Sequence, residues 1–163
     1  MRMHILRFCA VIAMFASLGA ISRIHAAEKP AIALIIAREH IIQYSSLSEL
    51  KLIYWRKKNY WADGQPIHPV NLPSDNSLRL QFSNAVLGSA PSAQNDYWNG
   101  LYFHGISPPH VVYSEEAVIR YIQETKGSIG YIDACKVDAR IKPLLWIMPN
   151  GDVSNNAPNI NCH

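Results

Sequence analysis

A short polar stretch ahead of an apolar helix is the part of this sequence best suited to bind a small anion. The run Ser74-Asp75-Asn76-Ser77 supplies hydroxyl and amide groups, and Arg79 follows two residues later. A desolvated anion needs several such donors converging on it, commonly at the start of a helix. The same pattern is typical of a plain helix cap and turn, and Asp75 would repel an anion. Two interpretations stay open: a cap alone, or a weak anion site formed by Ser74, Asn76, Ser77 and Arg79.

The rest of the sequence contains few patterns that would indicate catalysis or metal binding. His104 and His110 are separated by a glycine and two prolines, a spacing that does not match zinc ligands. Cys135 has no base placed near it in the sequence, and neither a nucleophile elbow nor a phosphate-cradling glycine loop is present. We therefore predict a protein that is not an enzyme, with no metal and no cofactor.

Cations and aromatic residues are concentrated in a few places. Arg56-Lys57-Lys58 falls at a predicted helix end, where the helix dipole favours positive charge; a patch for an acidic partner is the alternative. The aromatic residues form two groups, which we expect to be mostly core, or a docking surface if several prove exposed together. These are Tyr54, Trp55, Tyr60 and Trp61 in the first group, and Tyr97, Trp98, Tyr102 and Phe103 in the second.

Strand and helix signals alternate along the chain. Ala31–Ala37 is a continuous apolar run that predicts a buried strand, and Ser46 with Glu49 forms a capping box for a helix over 47–55. This alternation predicts a three-layer α/β domain with a mixed or mainly parallel sheet. The other predicted elements are a strand Ile67–Leu72, a helix from Leu78 to Gly88, a short helix over 92–101 with Tyr97 and Trp98 pointing inward, a helix capped by Ser114 and ended at Gly127, and strands Ser128–Ile132 and Leu144–Met148.

The first 26 residues have the pattern of a removable targeting segment. Arg2, His4 and Arg7 precede an apolar run, Phe8–Leu18, that is shorter than the ~20 residues of a spanning helix. We predict a cleaved signal peptide over 1–26 and an exported protein that is not inserted in the membrane after cleavage.

The charge balance depends on that segment. The full sequence has 15 Lys and Arg against 12 Asp and Glu, but three of the arginines lie in the first 26 residues. The remaining chain has equal numbers of basic and acidic residues, so the sequence predicts no nucleic-acid binding.

About 137 residues remain after the targeting segment, enough for one domain with a single core. We expect this domain to cover 27–148 and to be followed by a polar tail over 149–163. Cys135 and Cys162 both survive into an oxidising compartment, where a disulfide between them would tie down the tail. Two free thiols are the alternative.

Three landmarks resemble the phosphate-binding proteins of ABC importers, which belong to the type 2 periplasmic binding-protein class. Ile53-Tyr54-Trp55-Arg56-Lys57-Lys58-Asn59-Tyr60-Trp61 is similar to the family's I-F-x-G-K-x-x-x-W, with Arg56 where the relatives have glycine. Pro69-Val70-Asn71 resembles the strand that leads to the ligand loop, and Gly127-Ser128-Ile129-Gly130-Tyr131 resembles the G-x-I-G-Y strand. Further similarities to small members of the family are Trp98, Phe103, Gly105 and Pro108-Pro109.

The resemblance implies one lobe of a protein class whose full-length members close two lobes on an anion. The family's loop, R-x-D/x-G-S-G-T-R, aligns with Leu72–Arg79, so Leu72 replaces the leading arginine and Asn76-Ser77-Leu78 replaces S-G-T. Arg79 alone is unchanged. The implied ligand is phosphate or a similar oxyanion, and the implied location is the periplasm.

Two functions of different classes follow. The first is a periplasmic solute-binding-type protein that holds an oxyanion non-covalently and weakly. The second is an interaction module that has kept the fold, has lost the ligand, and docks on a membrane transporter or sensor through an exposed edge and the region Trp55–Trp61.

Overall fold

A computed structural model describes residues 29–41 and 46–162, so the predicted signal peptide lies outside the described residues. The alternation of strands and helices is confirmed. The main elements are β1 (Ile32–Ala37), α1 (Leu47–Tyr54), β2 (His68–Asn71), α2 (Ser77–Phe82) continued by a π-helical segment (Ser83–Leu87), α3 (Asn95–Tyr102) after a 3-10 turn (Pro91–Gln94), β3 (His110–Val111), α4 (Glu115–Glu124), β4 (Ser128–Asp133), β5 (Ile141–Ile147) after a 3-10 turn (Ala134–Lys136), and β6 (Val153–Ser154).

The six described strands form one mixed sheet in the order β3-β2-β4-β1-β5-β6. β2 is parallel to both β3 and β4, whereas β1 is antiparallel to both of its neighbours, β4 and β5. The short edge strands β3 and β6 were not predicted, because two-residue strands leave no periodic pattern. β6 lies in the segment expected to be a tail, where it pairs with the end of β5.

Alternating residues of β4 show that helices cover both faces of the sheet. A Cβ added at Gly130 would lie 2.6 Å from Val118 of α4 and 2.8 Å from Val70 of β2. The next residue, Tyr131, points to the opposite face, where its ring stacks on Phe82 of α2 at 4.0 Å. The predicted three-layer architecture is confirmed, and the missing Cβ of Gly130 leaves the space that Val118 of α4 occupies against the sheet.

The predicted caps have the expected geometry. The Ser46 hydroxyl accepts a hydrogen bond from the Glu49 amide at the start of α1, and Ser114 accepts one from Ala117 at the start of α4. Gly88 ends the second helical region in the left-handed conformation. Among the described residues, no helix has the length and apolar character needed to cross a membrane.

The C-terminal segment is joined covalently to the domain. Cys135, just after β4, forms a disulfide with Cys162, with 5.4 Å between the Cα atoms. The predicted pairing is therefore confirmed. A cleft of about 610 Å³ lies beside it, between the start of β1, the ends of β4 and β5, and the segment Asn159–Asn161.

Candidate anion site

The predicted ligand loop begins with a helix cap. The Asn76 side-chain oxygen accepts hydrogen bonds from the amides of Leu78, at 2.9 Å, and Arg79, at 3.2 Å. The capping interpretation of Asn76 therefore holds, and two amides that an anion at this helix end would need are already occupied. Ser74 and Ser77 are exposed on the surface of the loop.

Arg79 differs from the rest of this loop because its side chain is buried. Only 7% of the residue is exposed, and its Nη2 donates to the Gln94 oxygen over 3.4 Å. Its Nε and Nη1 are buried without a hydrogen-bond partner in the described part of the chain. No carboxylate of residues 29–41 and 46–162 forms an ion pair with it. Burial lowers the pKa of the guanidinium from its usual value.

Two buried tyrosines, Tyr54 and Tyr131, interact electrostatically with Arg79. The Tyr131 hydroxyl donates to Asn71 and accepts from the Leu72 amide, both at 3.3 Å, and the Tyr54 hydroxyl donates to the Val70 carbonyl oxygen at 3.3 Å. Burial raises the pKa of both phenols well above the ordinary value, against a smaller opposing effect of Arg79. Both are neutral near pH 7 and provide no counter-charge.

Ser83 is a further candidate that the sequence reasoning missed. It lies one helical turn after Arg79, on the same side of the helix, and is fully buried. Its hydroxyl oxygen has no hydrogen-bond partner in the described part of the chain. The i, i+4 spacing from Arg79 is a signal that could have identified it.

Gln94 is the other residue that the sequence did not indicate. It is buried, its oxygen accepts from both Arg79 and the indole of Trp98, and its amide nitrogen donates to the Ser89 carbonyl oxygen. It thereby fixes one end of the guanidinium. Its distance of fifteen residues from Arg79 gives no local pattern to find.

The helix that carries Arg79 and Ser83 changes geometry between them. α2 is α-helical to Phe82 and continues as a π-helical segment from Ser83 to Leu87. π-helical turns are rare and occur frequently at functional sites.

The basic run after α1 is largely explained by folding. Lys58 pairs with Glu49, and Arg56 Nη1 donates to the Ile67 carbonyl oxygen at 3.1 Å. Arg56 has a φ of 58°, the left-handed conformation in which the relatives' glycine would be unstrained.

The aromatic groups divide into buried and exposed parts. Tyr54 and Trp61 are core residues. Tyr97 and Trp98, expected to point inward, are half-buried, and both rings contact the ring of Trp55. Exposed members are Tyr60, Tyr102 and Phe103. The described residues contain no group of three His, Cys, Asp or Glu side chains placed to hold a metal ion.

No protein-family model matches the chain, and no curated protein matches it. Several solved structures, however, are similar to it. An ABC-type phosphate transport receptor from Vibrio cholerae is similar with a TM-score of 0.57 and 16% identity, over 71% of this chain and 45% of the receptor. The phosphate-bound structure of an ABC transporter substrate-binding protein from Clostridium perfringens is similar with a TM-score of 0.58 and 21% identity, over 71% of this chain and 45% of that protein.

These similarities identify the class of fold to which the chain belongs. The chain has the fold of the substrate-binding proteins of phosphate ABC transporters and spans less than half the length of these two structures. The resemblance inferred from the sequence landmarks is confirmed at this level.

Proposed function

We propose that this is an exported solute-binding-type protein that holds phosphate or a similar oxyanion non-covalently. The observation that carries the proposal is the buried guanidinium of Arg79, with Nε and Nη1 unpartnered in the described part of the chain. A buried charge without a partner costs several kcal/mol, and an anion in contact with it would offset that cost. Arg79 is also the one position of the loop Leu72–Arg79 at which this chain has the same residue as the family's ligand loop.

The fold supports a solute-binding role because the two similar structures are, by description, a phosphate transport receptor and a substrate-binding protein with bound phosphate. Delivery of the anion to a membrane transporter, a periplasmic location and removal of residues 1–26 belong to the same proposal. So do the predicted ligand roles of Ser74, Asn76 and Ser77 and the division into a domain over 27–148 and a tail over 149–163.

Isothermal titration calorimetry tests the proposal. The protein without residues 1–26 is titrated with sodium phosphate and sodium sulfate, and the titrations are repeated with Arg79→Met. We expect saturable binding with a dissociation constant in the micromolar range or weaker, and its loss in Arg79→Met. The matched control is Arg120→Gln, because Arg120 is an exposed arginine of α4 that pairs with Glu116 one turn away.

The two functional classes predict different results. If neither anion gives heat nor shifts the unfolding temperature at millimolar concentration, the binding function is wrong and the interaction module that lacks a ligand is favoured. If Arg79→Met binds as tightly as the unmodified protein, the anion binds elsewhere.

A further inference from the structure

Helix α3 has an apolar stripe that the rest of the described chain leaves largely uncovered. Tyr97, Trp98, Leu101 and Tyr102 recur at the i, i+4 spacing of one helix face. A helix with such a stripe normally buries it against the core, yet every residue of α3 is exposed or half-buried. The folded domain therefore leaves this face of α3 available for a further contact.

The stripe is part of a larger group of aromatic rings. The ring centroid of Trp55, at the end of α1, lies 4.5 Å from that of Tyr97 and 5.8 Å from that of Trp98. Tyr102 follows Trp98 by one helical turn, and its ring contacts that of Phe103. Tyr102 is 71% exposed and Phe103 is 86% exposed. We call these five residues the aromatic surface; exposed aromatic residues that lie together are typical of protein interfaces.

Opposite charges flank the aromatic surface. Lys57 comes two residues after Trp55, and Asp96 comes directly before Tyr97. Both charged residues are exposed, and neither forms an ion pair within residues 29–41 and 46–162. A surface with an aromatic centre and one charge of each sign is complementary to itself, because a two-fold rotation can bring the lysine of one copy to the aspartate of the other.

The size of the aromatic surface and the charge of the chain are compatible with self-association. Because an aromatic side chain buries about 150–250 Å² when fully covered, the partly exposed rings can contribute roughly 400 Å² per copy, half of the about 800 Å² that each partner of a standard interface buries. The chain without residues 1–26 has equal numbers of basic and acidic residues, so net repulsion between copies is small. These properties predict a dimer in exchange with the monomer at micromolar concentration.

We infer that the aromatic surface binds a second copy of this chain in an isologous dimer, in which Lys57 of each copy pairs with Asp96 of the other. The rings form the centre of the interface, where they exclude water, and the two ion pairs lie at its rim and fix the register of the two copies. The inference goes beyond the proposed function, because it assigns a partner to residues outside the loop Leu72–Arg79.

Sedimentation velocity at low to high micromolar concentration tests the dimer, with the protein used for the anion titrations. We expect a monomer that converts to a dimer as the concentration rises. Phe103→Ala should weaken the dimer about tenfold or more. The matched control is Tyr113→Ala, because Tyr113 is 87% exposed and contacts none of the five rings in the described part of the chain.

Two results would overturn the dimer. A monomer at every concentration would mean that the aromatic surface is left for a partner of another kind. An equal loss of dimer in Phe103→Ala and Tyr113→Ala would mean that the copies associate without a specific surface. Both outcomes leave the calorimetric test of anion binding unaffected.

Charge reversal tests the pairing of Lys57 with Asp96. Lys57→Glu alone or Asp96→Lys alone places like charges opposite each other at both ends of the interface, so each variant should dimerise about tenfold more weakly. Both residues are exposed, so the fold should be kept. In an equimolar mixture, the new glutamate of one variant faces the new lysine of the other, and the second pair is unmodified. We therefore expect the mixture to recover the dimer affinity of the unmodified protein.

The mixture distinguishes pairing from a general effect of charge, because it contains the same two chains that are measured separately. Recovery of the dimer in the mixture also shows that both variants are folded. A mixture no more dimeric than the two variants alone would overturn the pairing of Lys57 with Asp96.

Discussion

Arg79 is charged, buried, and bonded to the rest of the described chain through one of its three guanidinium nitrogens. Exposed arginines such as Arg140, which pairs with both Glu116 and Asp138, form ion pairs that water and salt screen. The free-energy cost of holding a charge is much higher at Arg79 than at an exposed arginine, because water is largely excluded from its surroundings. At the residue scale, stability and the proposed anion binding therefore place opposite demands on this position.

Replacing Arg79 with methionine should make the anion-free protein more stable. The methionine side chain would fill similar space without a buried charge, and we expect a gain of about 1–2 kcal/mol in the free energy of unfolding. Urea unfolding in a Tris chloride buffer without oxyanions measures it, with Arg120→Gln as the control. A loss of more than about 2 kcal/mol would mean that the guanidinium is already compensated in the free protein.

The buried phenols predict a loss of stability in alkali. The pKa of Tyr54 and of Tyr131 is raised in the folded protein, so above about pH 10 the unfolded chain releases protons that the folded one retains. The stabilisation is fully present below about pH 10 and is lost as the pH rises further. Urea unfolding at about pH 8, 9.5 and 11 should show a fall confined to the last step.

Phenylalanine variants identify the source of that fall. The double variant Tyr54→Phe, Tyr131→Phe should lose less stability across the last pH step than the unmodified protein. Tyr60→Phe is the control, because Tyr60 is exposed. Equal losses in the three proteins would assign the alkaline effect to other groups.

At the element scale, the sequence landmarks shared with the family correspond to close packing and chain reversal. Gly127 has a φ of 78°, and a Cβ added there would lie 2.3 Å from the Pro66 carbonyl oxygen. Its own carbonyl oxygen accepts from the Trp61 indole at 2.8 Å. The absence of a Cβ at Gly130 allows α4 to pack closely against the sheet. The Gly127–Tyr131 motif therefore identifies the fold for structural reasons, independently of any ligand.

The C-terminal end of α1 offers a prediction at the same scale. Arg56 holds a left-handed conformation that costs a residue with a Cβ about 1 kcal/mol or more. Arg56→Gly and Arg56→Ala both remove the bond to Ile67, but glycine alone removes the strain. We expect the glycine variant to be more stable than the alanine variant by about 1 kcal/mol. Thermal and urea unfolding measure the difference; equal stability would mean that the backbone relaxes in the alanine variant.

At the scale of the whole molecule, the C-terminal segment is part of the sheet and is also tied by a disulfide. β6 adds only the pairs of Trp146 and Ile147 with Ser154 and Val153 at the edge of the sheet. The disulfide closes a loop across a sequence separation of 27 residues. This covalent link stabilises the fold mainly by restricting the unfolded chain.

Removing the disulfide should lower the free energy of unfolding by about 3.5 kcal/mol on the chain-entropy estimate. The comparison is between the oxidised protein and Cys135→Ser, Cys162→Ser, with the reduced protein as the matched control. Amide hydrogen exchange should rise at Val153 and Ser154, while β1 and β4 stay protected. Unchanged exchange at β6 would show that sheet pairing alone holds the segment.

The sequence by itself determined the class of fold and the elements other than the short edge strands β3 and β6. Ser46, Ser114 and Gly88 begin or end helices through local hydrogen bonds and backbone preferences, so their roles could be predicted from neighbouring residues. The apolar run Ala31–Ala37 predicted a strand because a strand that is buried on both faces needs apolar residues at every position. Asn76 carried two possible roles, and local sequence could not choose between them.

Tertiary structure decided what depends on contacts between distant residues. The direction of β1 relative to β4, the pairing of β3 and β6, and the bond from Gln94 to Arg79 join segments with no shared local pattern. The buried environment of part of the candidate site could not be predicted for the same reason. Ser74 and Ser77 lie at the surface, while burial of Arg79 and Ser83 depends on how α2 packs against the rest of the fold. Burial without a partner is a property of the folded chain, and it is what gives Arg79 its proposed function.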